Sequence, residues 1–171
     1  MRSLVSLFVL PLLLTACPAD DVTDEGGSDT GSTATDPADA IAGDWVSEGD
    51  DISPLFQSAF FSYTRIDATF GADGSYTVTS VDANGASYDF AGTYAVTTDT
   101  DPRGIVLEQA TPSTATAEGI WQVDVDGVLS YEVVQTTPDI GFAAPTPDGG
   151  FGSTSGPGLA AGDNVQVFRR P

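Results

Sequence analysis

Carboxylates are the reactive groups this sequence holds in quantity. Its 171 residues carry 25 Asp and Glu against five arginines, with no Lys and no His, for a formal charge of −20. Two acidic placements could do chemistry. Asp99-Thr-Asp101-Pro-Arg103-Gly104 opens like a calcium loop, but it lacks an acidic fifth ligand and a distal glutamate, and Pro102 stiffens the turn. A β-turn between two strands explains it better. Asp124 and Glu132 could face each other across a hairpin, as the paired acid and base of a glycan hydrolase do. The apolar set Trp121, Val123 and Val125 claims the inward face, so both acids are expected in solvent, with neither a pocket nor a perturbed pKa. Trp121 and Tyr131 read as core rather than as sugar-stacking platforms. Gly149-Gly150-Phe151-Gly152 has no lysine and no following helix, so it cannot cradle phosphate. Without His or Lys there is no Ser-His-Asp or Cys-His catalysis, no Schiff base and no His-ligated zinc. An acidic surface also repels nucleic acid. The expectation is a non-enzymatic protein with no catalytic residue, metal or cofactor.

The single thiol, Cys17, rules out an internal disulfide. It follows Arg2 and an apolar run of eleven residues, Leu4 to Leu14. As a helix this run is about 16 Å long, roughly half a hydrocarbon core, and Pro11 weakens it. It reads as a secretory signal. Leu14-Thr15-Ala16-Cys17 resembles the lipobox of bacterial lipoproteins. The resemblance covers residues 1–17 and implies removal of a signal peptide, 1–16, followed by a diacylglyceryl thioether on Cys17 and acylation of the new amine. Two or three acyl chains, at about 0.8 kcal/mol per buried methylene, would hold the protein to a membrane. An ordinary signal peptide cut near Ala16 is the alternative, but it leaves a free thiol without a use in an oxidising compartment. Pro18, where a retention signal would place Asp, favours the outer membrane of a bacterial envelope.

Residues 18–40 contain seven acids, no base and no large apolar residue except Val22. Such a segment cannot offset its ordering entropy, and its like charges extend it. With Cys17 it is expected to be a disordered acidic linker, 17–40, that lifts a domain off the lipid. A calcium-binding tail is the rival reading, but no ligand spacing repeats. Residues 41–171 hold 18 acids and four arginines, a charge of −14, which favours a soluble monomer.

Within 41–171, apolar and polar residues alternate. Tyr88, Phe90, Tyr94 and Val96 share a face, as do Ile66, Ala68 and Phe70; Tyr76 and Val78; Trp121, Val123 and Val125; and Leu129, Tyr131 and Val133. Ala72-Asp73-Gly74, Ala83-Asn84-Gly85 and Asp126-Gly127 supply turns. Strands are expected near 41–47, 63–70, 75–81, 87–97, 104–110, 118–125, 128–135 and 164–170. Short connections make this an all-β, antiparallel up-and-down eight-stranded barrel, filled by side chains or holding one small ligand.

Gly43-Asp44-Trp45, Phe70-Gly-Ala-Asp73-Gly74-Ser-Tyr76 and Gly92-Thr-Tyr94 resemble motifs of lipocalin-like barrels. That resemblance spans most of 41–171. It implies that an arginine near the chain's end, Arg169 or Arg170, caps the first-strand tryptophan, with Trp45 and Arg169 as the barrel-closing pair. Residues 48–62 carry Phe56 and Phe60 at helical spacing. The segment is either a lid whose phenylalanines touch a ligand or a plug completing the core. Residues 136–163, with seven Gly and four Pro, read as a variable surface loop pinned by Phe142 and Phe151.

These readings lead to a membrane-anchored envelope lipoprotein that binds a small apolar or amphipathic ligand in a lipocalin-like barrel. The alternative is a filled barrel serving as a structural module or binding another envelope protein.

Overall fold

Strand alternation and Asp-Gly turns build one continuous sheet. The computed structural model describes residues 40–171, so the expected signal peptide, Cys17 and the linker up to residue 39 lie outside the described residues. Eight strands follow in order: β1 (Gly43–Glu48), β2 (Tyr63–Phe70), β3 (Ser75–Asp82), β4 (Ser87–Val96), β5 (Arg103–Thr111), β6 (Ala115–Val123), β7 (Leu129–Thr137) and β8 (Gln166–Phe168). Each pairs antiparallel with the next, in spatial order β1 to β8. Beyond β8, Val46 and Arg169 exchange two backbone hydrogen bonds of 2.8 Å, which bring the last strand against the first. The result is a nearly closed up-and-down barrel, the architecture the alternation predicts. Among the described residues, no helix is long and apolar enough to cross a membrane.

Two of the turns share a construction. The Asp82 carboxylate accepts from the amides of Asn84 and Ala86 at 2.8 and 2.9 Å. Asp124 accepts from Asp126 and Val128, both at 2.9 Å. Each acid thus serves the backbone of its own turn. The second turn begins earlier than the alternation implies. β6 ends at Val123, and Val125, expected inward, is 102% exposed at the tip.

The interior is packed most densely at the end where β1 begins and β8 finishes. Ile41, Trp45, Trp121 and Leu129 are all fully buried or within 1% of it. Gly119 lets β6 press against β7, because a Cβ there would fall on the Glu132 carbonyl oxygen. At the other end, the 49–62 connection contains a 3-10 turn (Gly49–Asp51) and a single helical turn, α1 (Pro54–Gln57). The helix is too short to carry the Phe56–Phe60 pair on one face. Phe60 lies beyond it and is 86% exposed.

The long segment between β7 and β8 is also more structured than its Gly and Pro content implies. Ala143 and Ser155 bridge, and Pro147–Gly149 forms a 3-10 turn. This segment lies on the outer face of the barrel. There Glu132, expected in solvent, is fully buried and accepts from the amides of Gly152 and Thr154 at 2.6 and 2.9 Å. The carboxylate therefore pins the loop, while Phe142 packs within it against Gly156.

Candidate functional site

The barrel has a sealed floor, a hollow middle and a covered mouth. The floor is built on tryptophans backed by arginines. Strands repeat every two residues, so Phe168 and Arg170 turn to one side and Arg169 to the other. The cap on Trp45 is accordingly Arg170 and not Arg169. Its guanidinium carbon lies 3.7 Å from the centre of the Trp45 ring. It also donates to the carbonyls of Ala42 and Ala40 at 2.9 and 3.2 Å. Partial burial there lowers the Arg170 pKa from its ordinary value. Gly43 makes room for this cap. Its φ of 117° suits glycine, and any Cβ would fall on the guanidinium. Arg169 instead bonds Asp51 at 2.7 Å on the outside. Arg103 lies 5.2 Å above the second buried tryptophan, Trp121.

Above the floor is a partly enclosed cavity of about 270 Å³. Tyr76, Phe70, Tyr131 and Phe168 form its deep end, and Val78, Leu107, Ala117 and Val133 its walls. No charged side chain lines it. Its volume lies just below the range of roughly 300–1,000 Å³ usual for small-molecule pockets, and its apolar walls with few polar groups fit that class. A bulge between Tyr63 and Arg65 lets Tyr63 join Ile66 on the inner surface.

Phe56, Phe61 and Tyr63 crowd the mouth, with ring centroids 5.3–5.8 Å apart. Phe56 lines the cavity, whereas Phe60 does not. Phe61 takes its place, packing edge-on against Phe60 at 4.8 Å. Between the mouth segment and the β7–β8 loop lies a second apolar hollow of about 430 Å³, bordered by Leu55, Phe60, Ile140 and Phe142. The two segments are joined where the Leu55 amide donates to the Asp163 carbonyl at 2.9 Å. The fully buried Gln166 ties β8 to β1 through Ser47 and accepts from the Ser53 amide at 3.0 Å.

The acidic placements do not assemble into a site. Glu132 stands opposite Ile120 in the register, while Asp124 is spent in its turn, so the two carboxylates never meet. Asp101 accepts from Gln122 at 2.7 Å. Among the described residues, no group of three or more acidic, His or Cys side chains is placed to hold a metal ion. Trp121 and Tyr131 both point inward, Trp121 into the floor and Tyr131 into the cavity. Phe61, Tyr63 and the cavity-facing role of Tyr131 went unrecognised in the sequence. The signal was there in the alternation of Leu129, Tyr131 and Val133, but alternation does not report whether an interior is full.

Compared with protein-family models, curated proteins and solved structures, the chain matches none.

Proposed function

We propose that this protein is a lipid-anchored bacterial envelope lipoprotein whose lipocalin-like barrel binds a small apolar or amphipathic molecule without chemical turnover. The observation that carries the binding reading is the uncharged cavity of about 270 Å³ beneath an aromatic cover. A barrel evolved only as a scaffold gains stability by filling such a space, because empty apolar volume forfeits dispersion contacts. The anchor rests on the lipobox-like Leu14-Thr15-Ala16-Cys17, and the outer membrane on Pro18. A second reading, a display module that binds an envelope protein, draws on the exposed Phe60 and Ile140 at 86% and 52%.

Native mass spectrometry of the protein purified from its host tests the first reading. A retained small molecule, released on denaturation, is the expected result. A uniformly unliganded protein that co-purifies with a protein partner would favour the second. Metabolic labelling with a palmitate analogue tests the anchor independently. Label should be lost in Cys17→Ser, and its persistence there would refute the lipobox reading.

A further inference from the structure

The cavity floor holds two hydroxyls that the protein leaves unused. Tyr76 on β3 and Tyr131 on β7 stand four strands apart in the eight-stranded barrel, so they face each other from opposing walls. Phe70 lies between them, with ring centroids 6.5 Å from Tyr76 and 6.1 Å from Tyr131. Tyr76 is 5% exposed. Tyr94, beside Phe70, shows the usual solution for a half-buried phenol, donating to the Gly71 carbonyl at 2.9 Å. Among the described residues, neither the Tyr76 nor the Tyr131 hydroxyl has such a partner. A hydroxyl held in apolar surroundings without an acceptor costs free energy that phenylalanine would avoid.

The side-chain amides lining the cavity are committed. Gln109 and Gln135 donate to the Ser113 and Pro138 carbonyls at 2.8 and 2.9 Å, and Asn164 to that of Val133 at 2.8 Å. Ser80, 3% exposed, lies four residues beyond Tyr76 on the same face, about 13 Å nearer the mouth.

We propose that Tyr76 and Tyr131 form a recognition site for an uncharged ligand with an acceptor oxygen, as in a ketone, ester or alcohol, at its buried end. This rests on the ligand-binding reading of the barrel. Burial raises the pKa of both phenols, so each remains a donor. A carboxylate would have to shed water in a cavity with no cation to meet it. A pure hydrocarbon would leave both donors unsatisfied.

The test uses the full chain and displacement of the uncharged fluorophore 1-aminoanthracene by three chains of equal length, 2-nonanone, 1-nonene and nonanoate, at about pH 8. The ketone should bind about fivefold or more tighter than the alkene, the effect of one or two neutral hydrogen bonds, and tighter than the carboxylate. Tyr76→Phe together with Tyr131→Phe should remove the ketone's advantage, with the alkene bound no more weakly than before. Ser80→Ala should leave the advantage intact. Equal binding of ketone and alkene by the unaltered protein, which needs no variant to fold, overturns the proposal and spares the binding reading. So does preference for nonanoate, or an advantage that survives the double substitution. Failure of the fluorophore and all three chains to bind overturns both.

Discussion

Arg169 and Arg170 are neighbours in sequence and lie on different sides of the barrel wall. Arg170 covers Trp45 and holds backbone carbonyls, whereas Arg169 reaches outward to Asp51. Arg170→Ala is therefore expected to lower the unfolding free energy by about 1 kcal/mol through loss of the cation–π contact. Arg169→Ala should cost less, because its ion pair stands in solvent. Urea denaturation of the two variants decides, and equal losses would refute the cap. The turn acids make a second prediction. The Ala86 amide is the largest of the hydrogen-bonding influences that hold the Asp82 carboxyl below its usual range, and the Ser75 hydroxyl does the same for Asp73. A depressed folded pKa means stability is present above the unfolded value near 3.9 and is lost as pH falls through the folded value. Thermal melts should therefore weaken below about pH 4. The acid limb should be shallower in Asp82→Asn, and an identical limb would count against the turn's role.

At the scale of elements, strands were legible and their covering was not. The pattern around Trp121 and Tyr131 located β6 and β7, though not their ends, because burial on one face leaves a period of two. The same pattern put Glu132 in solvent. Alternation names the outward face but cannot say that a distant loop lies over it. Glu132→Ala would leave the Gly152 and Thr154 amides without their acceptor, which should destabilise the protein by about 3 kcal/mol. Limited proteolysis should then cut first within residues 138–163. A variant cleaved no faster there than the unaltered protein would show that other contacts hold the loop. The mouth segment illustrates the reverse limit. Phe56 and Phe60 have helical spacing, but α1 stops at Gln57, so Phe61 rather than Phe60 turns into the cavity. A stretch this short is set by its packing on the barrel rather than by its own periodicity.

Over the whole molecule, the −14 charge of residues 41–171 is the dominant long-range property. Arg65 offsets part of it with Glu48 and Asp67, at 2.9 and 2.6 Å in solvent. Net repulsion should weaken as salt rises from about 0.01 M to about 1 M, which shortens the Debye length from about 30 Å to about 3 Å. The melting temperature is expected to climb over that range. A flat or falling profile would mean that the carboxylates are too dispersed to strain the fold. The strands and their order were legible in local alternation and turn residues, and the absence of His and Lys in the composition. Which arginine meets Trp45, the burial of Glu132 and the hollow above the tryptophan floor emerge only in three dimensions. Those outcomes depend on how distant surfaces pack and what volume remains between them, and no local pattern encodes a volume.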